Sequence, residues 1–198
     1  MYRYRGLSED EREGLVNQRI ARGFPPHSPP HFTSESGCYL LSAACYEHAS
    51  LLNAADRRTS FLAALRDLLE GDGATLLGWV ILPNHYHLLV DLPQADILPA
   101  LLKVAHGRSS RAWNAADGAP GRQVWYRYTD RAIRSEAHYY TTLNYINYNP
   151  VKHGWVQSPY DWMPSSVEWY AEHFGRDWLR ETWLSHPLRD YGKGWDDI

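Results

Sequence analysis

Two apolar runs, Ala74 to Leu82 and His85 to Asp91, flank the dipeptide Pro83-Asn84. A two-residue break between runs of this kind is the signature of an antiparallel hairpin. Such a hairpin is marginal alone in water and needs further strands or a covering helix. The flanking sequence supplies both. Cys38 to Tyr46 reads as a strand, and Thr59 is expected to cap an apolar-periodic helix over Phe61 to Glu70, which Gly71-Asp72-Gly73 stops. Beyond the hairpin, Ile97 to Asn114 reads as a second helix, and Asp117-Gly118-Ala119-Pro120-Gly121 as a loop. Val124 to Thr129 is a short aromatic strand, and Ser135 caps a third helix expected to end at Pro150.

The resulting order, β-α-β-β-α-β and then a helix, is that of an α+β, ferredoxin-like fold. It implies a four-stranded antiparallel sheet with helices on one face and an additional C-terminal tyrosine-bearing helix. At 198 residues, 44% apolar and 22% charged, the chain suffices for one such domain with extensions. Residues 37–160 form the expected domain. Residues 1–36 read as an arm, with Ser8-Glu9-Asp10-Glu11 opening a short helix toward Arg22 that the prolines from Pro25 to Pro30 break. Residues 161–198 form a Trp-rich acidic extension, helical around Ser166 to Arg180 and irregular after His186-Pro187. Cys38 and Cys45, seven apart in one strand, point to opposite faces and do not pair, which suits a reducing compartment. The polar N-terminus and the shortness of the longest apolar stretch, Leu76 to Leu82, predict a cytoplasmic protein with no membrane span.

The formal charge of −3 argues mildly against a nucleic-acid binder, but the charge is polarised. From Lys103 to Arg134 seven basic residues face two acidic ones, a net of +5, whereas from Asp161 onward the net is −4. Arg108, Arg111, Arg127, Arg131 and Arg134, with Lys152 farther on, are the candidate DNA-contacting residues. Trp113, Trp125, Tyr126 and Tyr128, interleaved with them, could stack unpaired bases. On charge pattern alone a solvated helix face with core aromatics explains the segment equally well.

His85-Tyr86-His87 is the most chemically pointed triplet. Residues two apart on a strand share a face with alpha-carbons roughly 6.5 to 7 Å apart, so both imidazoles can reach one cation. Leu88 and Val90 fall on the opposite face, where a core wants them. Two ligands do not make a site, and an ordinary solvated pair remains the alternative. Tyr145 and Asn149, spaced i, i+4 on the last helix, can supply a phenol and an amide oxygen from one face. Two imidazoles and an amide leave positions open at a cation for water and phosphate oxygens. A tyrosine beside it suggests phosphoryl transfer through a covalent phosphotyrosine. Tyr148, three residues on, is the rival nucleophile.

The segment Trp79-Val80-Ile81-Leu82-Pro83-Asn84-His85-Tyr86-His87-Leu88-Leu89-Val90, with Tyr145-Ile146-Asn147-Tyr148-Asn149-Pro150-Val151-Lys152-His153-Gly154-Trp155-Val156, resembles the REP-associated tyrosine transposases, single-tyrosine members of the HUH endonucleases. The likeness runs from about Gly37 to Ser166 and includes Asp130 to Arg134 and Asp161 to Ser166. The resemblance implies cleavage of single-stranded DNA beside a hairpin, the repetitive extragenic palindrome. It implies His85 and His87 as ligands of Mg²⁺ or Mn²⁺, Asn149 as third ligand and Tyr145 as nucleophile. The products would be a 5′-phosphotyrosine and a free 3′-hydroxyl able to reverse the reaction or join another end. Trp125-Tyr126-Arg127-Tyr128-Thr129 departs from the glycine- or phenylalanine-rich segment usual there. Lys152 and His153 are candidates for proton transfer. A catalytically idle hairpin-binding protein and a small metal hydrolase are the competing readings, and a homodimer sharing its sites stands beside a monomer.

Overall fold

The computed structural model describes Ser8 and residues 37–195; the expected arm helix therefore lies outside the described residues. Strand β1 (Gly37–Cys45) leads to helix α1 (Ala55–Gly71), the hairpin β2 (Thr75–Ile81) and β3 (His85–Leu92), helix α2 (Leu98–Ala116) and strand β4 (Trp125–Ala132). Helices α3 (Glu136–Lys152), α4 (Ser166–Phe174) and α5 (Arg176–Ser185) follow. The sheet order is β2-β3-β1-β4, with every neighbouring pair antiparallel. The ferredoxin-like α+β expectation holds. The hairpin turn is tied from outside as well as within. Leu82 N donates to His85 O at 2.8 Å, while Cys45 N and Leu52 N donate to the carbonyls of Asn84 (2.7 Å) and Pro83 (2.8 Å).

Helices cover both faces of the sheet, not one. Tyr39, Leu41, Ile81, Tyr86, Leu88, Val90 and Trp125 pack against Phe61, Leu65, Leu102 and Trp113 of α1 and α2. Leu40, Val80, Leu82 and Leu89 pack against Leu143, Tyr145 and Ile146 of α3, with Val167, Tyr170 and Leu179 behind them. The reason is legible in β3, whose residues from His85 to Val90 are all buried. A strand apolar on both parities must be covered twice. Gly78 marks where α3 crosses closest, since a Cβ there would stand 3.1 Å from Leu143 Cδ1. The edge strand β2 is stitched to the C-terminal segment, which blunts its free hydrogen-bonding groups. Trp79 N donates to Ser166 Oγ (3.1 Å), and Ile81 O accepts from Trp162 Nε1 (3.0 Å). Cys38 and Cys45 are free thiols in different cores, as expected. No helix among the described residues is long and apolar enough to cross a membrane.

Three local expectations are corrected. Helix α1 begins at Ala55, and Thr59 lies inside it, its hydroxyl donating back to Ala55 O at 3.0 Å. Arginines, not a hydroxyl cap, anchor that end: Arg58 Nη1 donates to Leu52 O and Asn53 O, and Arg57 to Leu51 O and the Asp117 carboxylate. Strand β4 runs on to Ala132 because Asp130, Arg131 and Ala132 keep pairing with β1; as an edge strand it carries polar residues that mask its pattern. Helix α3 continues through Pro150 to Lys152, giving up the one backbone bond that proline cannot donate. Ser135 caps it as expected, accepting from His138 N at 3.1 Å.

One buried group ties stability to pH. His106 stacks on Trp125 with ring centroids 4.5 Å apart, and its Nε2 is hydrogen-bonded to the Tyr86 hydroxyl at 3.0 Å. Burial pulls its pKa down to about 4. An unfolded histidine titrates near ~6.5, so between those values the unfolded chain binds the extra proton and acid favours unfolding. Stability should therefore fall by roughly 2 to 3 kcal/mol from this group alone between neutral pH and about pH 4.5. Denaturant midpoints of wild type and His106→Gln across that range test this; the variant should lose that share of the slope.

Candidate active site at the histidine pair

On β3 the alternation sends Tyr86 into one core and His85 and His87 to the face beneath α3. Neither imidazole is solvated; their relative exposures are 5% and 2%. Each ring is held through Nδ1. Ser42 Oγ, directly across on β1, lies 2.6 Å from His87 Nδ1, and Asn84 Oδ1 lies 2.7 Å from His85 Nδ1. Such contacts set the tautomer and turn Nε2 toward the helix above.

Helix α3 brings Tyr145, Asn149 and His153 down one face at successive i, i+4 steps. Tyr145 Oη stands 3.3 Å from His87 Nε2, and Asn149 Oδ1 3.3 Å from His85 Nε2. The His153 ring meets His85 edge-on, centroids 5.0 Å apart. All these contacts form within one chain. The rival Tyr148 is turned outward and is 43% exposed.

Two nitrogens with their second ring position fixed, and a fully buried amide oxygen, are a donor set that suits a divalent cation with open positions. Asn149 Nδ2 is buried and has no hydrogen-bond partner, so the amide's one contact is through its oxygen at His85. Among the described residues no group of three or more His, Cys, Asp or Glu side chains is arranged to hold a metal. The Asn149 oxygen, beside His85 Nε2, is the donor that fits a third protein ligand there.

Tyr145 has no exposed surface. Part of its cover comes from the segment after α5. Gly192, at φ 75°, presses its backbone on the ring so closely that a Cβ would stand 2.1 Å from Tyr145 Cε2. The Tyr191 and Trp195 rings lie 5.7 and 5.6 Å from it, centroid to centroid. Tyr191 is anchored through its hydroxyl to Thr142 Oγ1 (2.5 Å) and His138 Nε2 (3.1 Å). Burial, and after it Arg134 and Arg131, pull His138 down from the ordinary histidine value, which disfavours its charged form at that contact. Lys152 Nζ donates to Gly192 O at 3.1 Å and lies 5.0 Å from the Tyr145 ring centre. The Arg131 guanidinium covers the Trp195 ring at 3.9 Å.

Of the six basic residues expected to contact DNA, Arg131 and Lys152 are thus at the tyrosine, although against protein groups. Arg134 is exposed at the start of α3 and Arg127 exposed on β4. Arg108 and Arg111 stand on α2, which packs on the other face of the sheet; the structure does not bring them to the histidine pair. Trp113 and Trp125, candidates for base stacking, are buried in that opposite core. Five residues of the site escape a reading of the sequence: Ser42, Asn84, Tyr191, Gly192 and Trp195. Asn84 adjoins His85 and could have been found from the turn. Ser42 depends on strand register, 45 residues away.

No protein-family model matches the chain. It is similar to a solved structure of a REP-associated tyrosine transposase bound to a REP hairpin, with a TM-score of 0.59 at 22% identity over 74% of this chain and 86% of that one, a likeness of fold. It is 34% identical over 85 residues to the REP-associated tyrosine transposase of Escherichia coli K12, 42% of this chain and 48% of that protein. It is also 36% identical over 139 residues, 62% of this chain, to a Haemophilus influenzae protein assigned to the same family. That alignment takes in 77% of the relative and carries the family with it: the chain belongs to the REP-associated tyrosine transposases.

Proposed function

We propose that the protein nicks and rejoins single-stranded DNA beside hairpins of the REP type, with Tyr145 as nucleophile. The observation that carries this reading is the 3.3 Å approach of Tyr145 Oη to His87 Nε2, on the face where Asn149 meets His85. The related structure named for its bound REP hairpin supports the choice of DNA. In the reaction the phenol gives up its proton, its oxygen bonds to phosphorus, and the bond from phosphorus to the 3′ oxygen breaks. The 3′ oxygen takes up a proton, and the 5′ phosphate stays on the tyrosine. A divalent cation held by His85, His87 and Asn149, Mg²⁺ or Mn²⁺, would polarise the phosphate and offset its growing charge. Lys152 adds a positive charge beside the ring whose oxygen becomes anionic.

Denaturing gels of a labelled hairpin oligonucleotide should show a protein-linked band with Mn²⁺ and none with excess EDTA. An adduct undiminished by chelation would overturn the metal assignment. The ligand arrangement has its own test. Ser42→Ala removes only the group that holds His87 Nδ1, and loss of such a partner weakens metal affinity by about 10- to 100-fold. Calorimetric titration with Mn²⁺ should show this, and an unchanged Kd would mean that His87 does not bind the ion. A second reading, a hairpin-binding protein without catalysis, is favoured by the complete burial of Tyr145. Binding without any adduct, even after the segment over the tyrosine is displaced, would select it.

A further inference from the structure

Resting on that reading, we infer that the slot filled by the Trp195 indole, between the Arg131 guanidinium and the rings of Tyr145 and Tyr191, is a subsite for one unpaired base of the cleaved strand. The slot is built for a flat, bicyclic aromatic group. Arg131 lies 3.9 Å over the indole, and Tyr145 and Tyr191 meet it at 66° and 60°, with centroids 5.6 and 4.9 Å away. A guanidinium plane over a π-face, with aromatic walls, is how proteins hold bases without reading their edges.

The position fits one nucleotide at the reacting phosphate. Arg131 pairs with Leu40, and Thr129 with Ser42, so the Arg131 side chain falls on the sheet face that carries Ser42 and His87. The slot shares a wall, the Tyr145 ring, with the nucleophile. The chain leading to Trp195 also presents the other half of a nucleotide. The Gly192 backbone crosses the Tyr145 ring with no side chain, and its carbonyl accepts from Lys152 Nζ at 3.1 Å, as a phosphate oxygen would. An acceptor at Lys152 and a flat ring under Arg131 are what a single nucleotide offers in phosphate and base. In this protein residues 192–195 stand in the place of that nucleotide and DNA must displace them, while Tyr191 stays anchored at Thr142 and His138.

The test uses the full chain and a hairpin oligonucleotide copied from a palindrome beside the gene, with unpaired extensions replaced one nucleotide at a time by an abasic residue. Anisotropy should show Trp195→Ala binding the intact strand about 10-fold more tightly than wild type. One abasic position should erase at least about 5-fold of that gain, the others less than about 2-fold. Arg131→Gln should abolish the distinction between intact and abasic strands. So should Arg131→Lys, which keeps the charge but not the plane. Equal tightening by Trp195→Ala on every strand would mean that the indole is a cover and not a stand-in for a base, and would overturn the subsite. Sensitivity to the abasic position that survives both Arg131 variants would do the same. Adduct formation in the same samples scores the parent reading separately: an adduct with no base dependence sinks only the subsite, whereas failure of every strand to bind sinks both.

Discussion

Tyr145→Phe should lose the covalent adduct with a hairpin oligonucleotide by about 10³-fold or more, because no other group can form the phosphotyrosine bond. The substitution is otherwise mild. Only the hydroxyl goes, and with it the 3.3 Å approach to His87 Nε2, so the stability cost should be about 1 kcal/mol. Hairpin binding should change by less than about 2-fold, since phenylalanine keeps the ring that lines the site and loses only the reacting hydroxyl. Tyr148→Phe is the matched control. Tyr148 lies three residues away but faces solvent, so its variant should form adduct at the wild-type rate. An adduct that persists in Tyr145→Phe and disappears in Tyr148→Phe would reverse the assignment and require α3 to turn when DNA binds.

Gly192→Ala should act in the opposite direction and raise the rate of adduct formation by about 10-fold. The added methyl would stand 2.1 Å from Tyr145 Cε2, and that ring cannot retreat because it is itself packed in the core over the sheet. A clash of this kind costs about 1 to 3 kcal/mol, and the backbone at φ 75° adds about 1 kcal/mol for any residue with a Cβ. The segment bears that cost alone, so the balance shifts toward the state in which Tyr145 is uncovered. Hydrogen exchange should show faster exchange over residues 188–195, with the sheet unchanged. Unchanged adduct kinetics with that segment loosened would mean that its departure does not limit the reaction.

Local patterning located most of the frame. The hairpin at Pro83-Asn84, the cap at Ser135 and the shared face of His85 and His87 depend only on residues within about four positions of one another, where backbone geometry is the same in any fold. The errors fall where a long-range partner replaced the local signal. Thr59 resembles a cap, but Arg57 and Arg58 reach back to carbonyls of the preceding loop and start the helix earlier. Val124 to Thr129 reads as the whole of β4 because Asp130 and Arg131 are poor strand residues; pairing with Leu40 and Leu41 holds them in the sheet. The basic run from Lys103 to Arg134 reads as one surface along the chain, yet the sheet divides it, with Arg108 and Arg111 on one side and Arg131 on the other.

By itself the sequence determined the βαββαβ order, the pairing of the two histidines on one strand face, and the i, i+4 relation of Tyr145 to Asn149. All three are consequences of backbone period. Only the tertiary structure decided that α3 covers the histidine side of the sheet, that Tyr145 and not Tyr148 meets His87, that Ser42 holds the imidazole, and that Gly192 and Trp195 close over the tyrosine. Those contacts join residues 45 to 58 positions apart, Ser42 with His87 at one end of that range and His87 with Tyr145 at the other. They follow from burying two apolar faces of one sheet at once, a condition that no single stretch of the chain expresses.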